Sequence, residues 1–446
     1  MNKILLTSLC LAAAMSFTGC VGEEEDIFDN LAPVRLDQAA ETYTERLAAA
    51  TGGWAMEYYP TTELEAPKGL GYLLLTKFYP NQSVDVAMNN AFTTPANTYQ
   101  IDTSSWEVIT DNGPVLTFNT YNKCLHVFSS PEDVPSTATD ETGLGLEGDY
   151  EFVMIDVPEG GDFVMLKGKK RGTYVRLSRL DEGTDFEAYL DSVQAFRDRM
   201  FPASSPNVCV LSVGDSLMRM ASASSGIANI YPYDGDAIYD ESYHPFLVTR
   251  RGGAYYLRFR EALNAPDGTT EQEFMYDASR DLFTGVGNPE NILEGEYPGT
   301  FFTYSMDADN RSWRLQRTSV MSADVQAAYE AVRTEMAKSQ YTLNYIQFTQ
   351  SDDGIVCNVN CKVRTSTTDV PFSFNVSTTQ EGGSLVYAGP ATDVAATVAD
   401  TFPSIVGLME ALSGENFTIS AGTTRFNMST LRFASADGKE FILSII

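Results

Sequence analysis

Apolar residues along the chain follow two periods, a helical one in a few segments and a strand-like one in most others. Three- and four-residue spacing marks three segments, Leu36–Leu47, Phe186–Met200 and Val325–Met336. Each is predicted to be a helix, and Thr184 and Ser322 are predicted to cap the second and third at their amino ends. A fourth helical stretch, Thr392–Leu412, contains Pro403, so it is either one kinked helix or two short helices.

Between the helices the sequence has the pattern of strands and turns. Aromatic and β-branched residues, or strict alternation of apolar and polar residues, mark strands within Gly71–Val86, Val115–Phe118, Tyr150–Ile155, Phe163–Leu180, Ile355–Val363 and Phe426–Ile446. The last segment is predicted to be a hairpin that turns at Asp437-Gly438. Strands follow strands without the intervening helices that parallel pairs need, so the sheets are predicted to be antiparallel. The predicted fold class is mainly β (α+β), with antiparallel sandwich or barrel modules and a few packed helices.

The predicted helices divide the chain into similar blocks. They start near residues 36, 184 and 322, which are 148 and 138 residues apart, and a β-rich block follows each one. Leu166–Gly172 echoes Val248–Gly253, but basic residues beside glycine are common at hairpin tips, so this echo is too short to prove a duplication. Pro and Ser interrupt the pattern near Pro202. We therefore predict an N-terminal β-rich domain with flanking helices over residues 36–202 and a C-terminal β-rich region with two helical segments over residues 203–446.

The amino terminus has the pattern of a lipoprotein signal. Lys3 precedes an apolar run, Ile4–Met15, which is too short to span a bilayer, and small residues lead to Cys20. The sequence Phe-Thr-Gly-Cys that ends this stretch resembles a lipobox. Residues 1–19 are therefore predicted to be a lipoprotein signal peptide, with Cys20 as the lipid attachment site. An ordinary secretory signal with an incidental cysteine is the alternative.

An acidic block follows directly after Cys20. The four residues Glu23–Asp26 are all acidic, and residues 20–35 are predicted to form a solvated tether. A flexible spacer is the simpler interpretation. The block also resembles the surface-export signal of Bacteroidetes lipoproteins, which would place the protein on the outer membrane facing the cell exterior.

Net charge restricts the class of partner. The chain has 60 acidic and 30 basic side chains among 446 residues, a formal net charge of −30. Nucleic acid is excluded as a partner on this basis, because its binding depends on Lys and Arg displacing counterions from phosphates. The apolar share of 43% is enough for folded domains with their own cores.

Residues suited to catalysis or metal binding are few. The two histidines, His126 and His244, are not in a zinc-binding pattern, so no metal site and no cofactor is predicted. Gly214–Leu217 has the Gly-Asp-Ser-Leu sequence of the GDSL-type esterase nucleophile, and Glu241 precedes His244 at the spacing of its partner. The flanking residues have the pattern of two strands, so we favour a hairpin turn at Gly214-Asp215 and predict no catalytic residue.

Acidic clusters and cysteines are given structural interpretations. Oxygen ligands for calcium are available in two clusters, Asp234, Asp236, Asp240 and Glu241, and Asp307, Asp309 and Asn310. Neither cluster has the spacing of a calcium loop, so solvated loops are favoured. Cys357 and Cys361 lie about 13 Å apart along one strand face, too far for a disulfide, and are predicted to be buried free thiols.

Two features could bind a ligand. Trp54, beside Tyr58 and Tyr59, could provide a stacking platform for a sugar ring, although core packing is the more common role of such a residue. A basic segment could hold an anionic ligand or the acidic surface of a partner, and it consists of Lys167, Lys169, Lys170 and Arg171. A plain hairpin tip is the alternative for this segment.

Several segments of the first half resemble one family when they are taken in order. They are Gly53–Pro60, Gly113–Asn122, Leu125–Phe128, Gly148–Phe152 and Leu166–Gly172. Together they resemble the Bacteroidetes surface lipoproteins grouped as domain of unknown function 4302, most specifically over residues 36–200. The resemblance brings no catalytic residues, and it implies a cell-surface lipoprotein encoded beside SusC-like transporters, SusD-like lipoproteins and metallopeptidases. The order of strands and helix also resembles that of lipocalin-like barrels.

The predicted function follows from the anchor, the β-rich build and the resemblance. We expect a lipid-anchored, non-enzymatic accessory of an outer-membrane nutrient-uptake system, with SusC-like or SusD-like partners and a glycan or peptide ligand. A surface hydrolase that uses Ser216 or paired carboxylates is one alternative. A purely structural partner in an outer-membrane complex is the other.

Overall fold

The computed structural model describes residues 32–64, 69–130, 145–203, 208–221, 223, 226–234, 243–307, 310–381, 384–414 and 417–446. The predicted signal peptide, Cys20 and most of the tether lie outside these residues. The described helices are α1 (Ala32–Ala48), α2 (Phe186–Met200), α3 (Pro298–Asp307), α4 (Ala323–Lys338), α5 (Ala396–Thr401) and α6 (Ser404–Ala411). None of these helices is long and apolar enough to cross a membrane.

The first eight strands form a closed antiparallel barrel. They are β1 (Trp54–Tyr59), β2 (Tyr72–Phe78), β3 (Ser83–Asn90), β4 (Thr98–Thr110), β5 (Pro114–Phe118), β6 (Glu151–Asp156), β7 (Phe163–Gly168) and β8 (Tyr174–Arg179). Each strand pairs with the next, and β8 pairs with β1 to close the ring. Large side chains fill the interior, among them Trp54 and Trp106, so this barrel has a packed core.

The next eight strands form a second closed barrel with the same up-and-down order. They are β9 (Val208–Val213), β10 (Ser216–Ala221), β11 (Ile227–Pro232), β12 (Tyr243–Arg251), β13 (Ala254–Asn264), β14 (Thr270–Asp277), β15 (Leu282–Gly285) and β16 (Ile292–Gly295). β16 pairs with β9 and closes the ring. Val213 pairs with Ser216 across a turn at Gly214-Asp215, which confirms the predicted hairpin.

The last eight strands form a third antiparallel sheet. They are β17 (Trp313–Leu315), β18 (Tyr341–Ser351), β19 (Gly354–Val363), β20 (Asp369–Glu381), β21 (Ser384–Pro390), β22 (Thr418–Ala421), β23 (Thr430–Ala434) and β24 (Glu440–Ile445). Their spatial order is β21-β20-β19-β18-β17-β24-β23-β22. A bridge between Tyr387 and Phe417 connects its two ends, so this sheet is barrel-like with a narrow seam. The predicted mainly β class with barrel modules is confirmed.

The helix predictions are confirmed, with changes at their ends. The N-cap of α2 is Asp185, which accepts a hydrogen bond from Ala188 N, whereas Thr184 donates to a carbonyl of the preceding turn. Ser322 does precede α4, but its hydroxyl accepts from Glu440 N in β24 and does not cap the helix. Pro403 separates α5 from α6, so the two-helix alternative is correct.

The three blocks suggested by the helix spacing correspond to three eight-stranded sheets. The region predicted as residues 203–446 therefore contains two of them, the second barrel and the third sheet. Helix α3, which was not predicted, leads into the third sheet. Its first residues, Pro298-Gly299, have the composition of a turn, although proline at the first helical position is also typical of a helix start.

Strand β1 joins the two barrels, because one of its faces lines the first barrel and the other packs against the second. Met56 points into the first barrel, whereas Glu57 is 1% exposed and points toward the second. One Glu57 oxygen lies 3.3 Å from Arg176 Nη1 of β8, and the other lies 3.5 Å from Arg258 Nε of β13. Burial raises the pKa of Glu57, and the two guanidinium groups oppose that shift. The carboxylate therefore depends on both arginines.

Further contacts fix the barrels relative to each other. Arg260 of β13 donates to three successive carbonyls that follow β1, those of Thr61, Thr62 and Glu63. Helix α2 lies between the barrels, and its Tyr189 hydroxyl donates to Arg250 O while accepting from Arg250 N. The second barrel also receives Phe426 from the third sheet, whose ring lies 5.4 Å from that of Phe283. The described parts of the chain therefore pack as a continuous body.

Candidate ligand-binding surface

The two ends of the first barrel differ. Helix α1 closes one end, where Arg46 donates to the carbonyls of Val157 and Pro158, and Trp54 Nε1 donates to Leu47 O. The other end carries the connections that follow β1, β3, β5 and β7. All five segments that carry the family resemblance contribute residues to this second end, which we call the loop end.

A buried carboxylate organises the loop end. Asp149, which is 5% exposed, accepts hydrogen bonds from the backbone N–H groups of Lys170 (3.2 Å) and Arg171 (2.9 Å). It also accepts from the hydroxyl of Thr173 at 2.8 Å, and its own carbonyl accepts from Tyr58 Oη at 2.8 Å. Asp149 thus holds the β7–β8 hairpin tip through its side chain and β1 through its backbone carbonyl. Sequence reasoning missed Asp149, because its partners lie about 20 and 90 residues away.

Two glycines make this arrangement possible. A Cβ atom at Gly168 would collide with the Asp149 carboxylate, and a Cβ atom at Gly148 would collide with the Tyr58 hydroxyl. The close approach of backbone to side chain therefore requires glycine at both positions. This requirement explains why glycine precedes Asp149 and why the basic hairpin tip begins with glycine.

We expect the Asp149→Ala variant to lose about 2–3 kcal/mol of unfolding free energy, because buried N–H groups at the hairpin tip lose a charged acceptor. Urea denaturation followed by circular dichroism measures this loss. Glu159→Ala, which truncates an exposed acidic side chain on the β6–β7 connection, is the control and should change stability by less than about 0.5 kcal/mol. Equal stability of the two variants would contradict the role assigned to Asp149.

Two of the four predicted basic residues form ion pairs. Lys169 Nζ lies 3.0 Å from Asp111 and 3.4 Å from Glu151, and Arg171 lies 2.8 Å from Glu147. Lys167 and Lys170 are exposed, and no ion pair with them is seen in the described residues. The hairpin tip therefore combines two ion-paired basic side chains with two exposed lysines that form no ion pair within the described residues.

Next to this tip, three rings form a partly exposed stack. The ring of His126 lies 4.8 Å from that of Tyr150 at an interplanar angle of 26°, and 5.3 Å from that of Tyr121 at 35°. Tyr121 is 55% exposed and Tyr150 is 42% exposed. Glu151, the residue after Tyr150, is the partner of Lys169. We call Tyr121, His126, Tyr150 and the hairpin tip residues 167–171 the aromatic–basic surface.

Asn122 fixes the loop that carries Tyr121 and His126. Its side chain is fully buried, its amide nitrogen donates to Asp102 O, and its amide oxygen accepts from Cys124 N. Asn122 N donates to His126 Nδ1 at 3.0 Å, so Nδ1 is an acceptor and the imidazole is held in one orientation. The stack is thus positioned before any ligand arrives, which lowers the entropic cost of binding.

Burial lowers the pKa of both His126 and His244, although Glu261 opposes the shift at His244. A histidine with a lowered folded-state pKa takes up its proton more readily when unfolded, so its contribution to stability is complete above about pH 6.5 and is lost below that value. We expect the melting temperature of the wild type to fall more between pH 7.5 and 5.5 than that of His244→Gln. Calorimetry at both pH values measures the difference, and parallel pH profiles would contradict it.

Trp54 does not belong to the aromatic–basic surface. It is 1% exposed inside the first barrel, near the end that α1 closes, and its indole nitrogen is already used. The predicted sugar-stacking role of Trp54 is therefore wrong, because its ring is enclosed by the core. The exposed platform is formed by Tyr121 and Tyr150, which sequence reasoning did not select. Their positions, just outside strands β5 and β6, were the available signal.

The esterase interpretation is not supported by the geometry. Ser216 begins β10, and Ala221 ends it. Ala221 pairs with Asn229 of β11, and His244 of β12 pairs with the neighbouring Ala228, so His244 lies level with the far end of β10. Five residues of strand separate these ends by about 17 Å. Asp267 accepts from Asp215 N and Asn291 accepts from Gly214 N, so the Gly-Asp turn has a structural role.

The remaining candidate groups do not form a chemical site in the described part of the chain. No cluster of His, Cys, Asp and Glu suited to a metal ion occurs there. Cys357 and Cys361 are buried free thiols, as predicted, and so are Cys124 and Cys209. Burial raises the pKa of the Cys124 thiol to about 12, so the unreactive protonated form is favoured. Asp236, Asp240, Glu241 and Asp309 of the acidic clusters lie outside the described residues.

Comparison with known families gives one match. A family model described as "Domain of unknown function (DUF4302)" matches residues 24–278, more than half of the 446-residue chain. The matched range contains the whole first barrel, α2 and strands β9–β14. No curated protein matches the sequence.

Proposed function

The chain belongs to the DUF4302 family, and from this premise we propose that it is a lipid-anchored, non-enzymatic surface protein that binds a glycan at the aromatic–basic surface. In this proposal it is an accessory of an outer-membrane nutrient-uptake system in a Bacteroidetes bacterium. Cys20 carries the lipid, and the acidic tether places the barrels outside the cell. The lipobox-like sequence and the acidic residues after it support the anchored, surface-exposed part of the proposal.

The exposed ring stack is the observation that carries the ligand-binding part. Two tyrosines at 42–55% exposure form one contiguous patch with His126, which stacks against both rings, and contiguous exposed patches of this kind mark binding sites. Tyrosine combines an apolar ring face with a hydroxyl, which suits a sugar that has apolar C–H faces and many hydroxyls. Lys169 and Arg171, with their carboxylate partners, supply hydrogen-bond donors and acceptors at the same surface.

We expect the Tyr121→Ala/Tyr150→Ala double variant to bind its glycan at least about tenfold more weakly than the wild type, a loss of about 1.4 kcal/mol. A glycan array with acidic and neutral saccharides identifies the ligand, and titration calorimetry measures the affinity. Tyr297→Ala is the matched control, because Tyr297 is 49% exposed but lies beyond the second barrel. Equal affinity for the double variant and the control would contradict the assigned site, and binding only to peptides would change the ligand class.

The anchor is tested separately from the ligand. Metabolic labelling with a radioactive fatty acid should label the wild type and leave Cys20→Ser unlabelled. Replacing Glu23–Asp26 with serine should protect the protein from protease added to intact cells.

Cross-linking in outer membranes should recover SusC-like or SusD-like partners. An unlabelled wild type would contradict lipid anchoring, and recovery of the protein alone would contradict the uptake complex.

A further inference from the structure

A cavity lies between the second barrel and the third sheet. It has a volume of about 480 Å³, within the range of small-molecule sites in proteins. Strand β10 contributes one wall, α3 contributes another, and β18–β21 contribute the third. The residues on which the argument depends are Arg219, Thr300, Thr303, Tyr304, Thr378 and Thr379.

Helix α3 turns a polar face toward this cavity. Thr300, Thr303 and Asp307 are three and four residues apart, so they lie on one side of the helix, and all three line the cavity. The opposite side buries Phe301 and Met306 in the core of the third sheet. Thr378 and Thr379 of β20 also line the cavity. The Thr303 hydroxyl donates to Thr300 O and keeps its acceptor lone pairs. Threonines therefore border the cavity from two elements that do not pair with each other.

A rigid aromatic wall completes the cavity. The Arg219 guanidinium lies 4.5 Å from the ring of Tyr233 and 4.6 Å from the ring of Tyr304. It also lies 3.2 Å from a carboxylate oxygen of Glu296, which is fully buried, and the Tyr304 hydroxyl lies 3.1 Å from that of Tyr231. Glu296 neutralises Arg219, and the stacked rings hold the guanidinium in place. This wall places Arg219 and Tyr304 at the cavity, with the arginine charge neutralised by Glu296.

The chemistry of the lining selects the ligand. Thr hydroxyls both donate and accept hydrogen bonds, and Gln350 adds an amide. Asp307 forms no ion pair within the described residues, so its carboxylate disfavours an anion and can accept bonds from ligand hydroxyls. We infer that this cavity is a second saccharide site, specific for a neutral oligosaccharide. The inference rests on the proposed function for the class of ligand, but it concerns a separate surface of the chain.

Titration calorimetry tests this inference, using the chain without its signal peptide and lipid anchor. The ligands are maltohexaose, cellohexaose and mannohexaose. The Thr303→Val/Thr378→Val double variant removes two hydroxyls with little change in shape, and we expect its affinity for the bound hexasaccharide to fall about tenfold. Asp307→Asn is a second variant at an exposed position, chosen because it should fold normally, and we expect a loss of about fivefold. Thr342→Val, at an exposed position of β18, is the control.

The outcomes separate this inference from the proposed function. Weaker binding in the cavity variants, with unchanged binding in Tyr121→Ala/Tyr150→Ala, supports a second site. Unchanged binding in both cavity variants, or no binding of any neutral hexasaccharide to the wild type, overturns it. If an acidic glycan still binds and depends on Tyr121 and Tyr150, the proposed function survives that failure. If neither surface binds a saccharide, both fail.

Discussion

Replacing Arg258 by methionine should lower the free energy of unfolding by about 3–5 kcal/mol at pH 8, because it leaves the buried Glu57 carboxylate without one of the two arginine charges that compensate its burial. Glu57 is 1% exposed, and its carboxylate faces Arg176 in its own barrel and Arg258 in the second. Methionine keeps the apolar stem of the arginine side chain, so the effect reports charge more than packing. Equilibrium unfolding in urea, followed by circular dichroism, measures it.

A matched control exists on α4. Glu330 also faces two arginines, with Arg317 at 2.9 Å and Arg333 at 2.6 Å, but this cluster lies near the surface. Water and salt screen such pairs, so Arg317→Met should change the free energy of unfolding far less than Arg258→Met does. If Arg258→Met is no more destabilising than Arg317→Met, the cluster between the barrels does not hold them together.

The Phe426→Ala variant should lose about 3–5 kcal/mol, because it removes a ring from a core that cannot fully collapse around the gap. Phe426 is 1% exposed, and its ring lies 6.0 Å from Phe201 and 5.4 Å from Phe283. Since Phe426 lies on the connection between β22 and β23 of the third sheet, its loss should also uncouple that sheet from the second barrel. Calorimetry should then show two melting transitions in place of one.

A conservative substitution at Phe426 tests whether its apolar volume is enough to keep the third sheet coupled to the second barrel. Phe426→Leu keeps most of the apolar volume and should cost less than about 1.5 kcal/mol, with a single transition retained. A single transition in Phe426→Ala, at an unchanged temperature, would show that the second barrel does not depend on this ring.

Local signals explain what could be predicted from the sequence. The helical period of α2 and the Asp437-Gly438 turn each depend on residues that are close in the chain. Barrel closure has no such signal, because β1 pairs with β8 across more than 100 residues. The alternation of a strand shows that one face is buried, but it does not say which strand completes the ring. The sequence therefore predicted the class of fold and left sandwich and barrel as alternatives.

The candidate site was harder to predict for the same reason. Lys169 and Arg171 stood out because they lie together in an acidic sequence, but their acidic partners lie on the β4–β5 connection, on the β5–β6 connection and at the start of β6. No local sequence signal marks Tyr121, His126 and Tyr150 as neighbours. Their loops are positioned by Asn122, which donates to His126, and by Asp149, which accepts from the hairpin tip. Trp54 stood out by residue type alone, and residue type does not distinguish the inside of a barrel from its rim.

Ring closure also determines where this protein can be cut. A fragment that ends after β14 would contain nearly all of the family match, yet it would lack β15 and β16 and leave β9 and β14 with unpaired edges. Such edges pair readily with other chains, so this fragment would aggregate although every residue it contains is native. The boundary of sequence similarity and the boundary of autonomous folding are therefore different positions, and libraries of expressed fragments should be designed around the second.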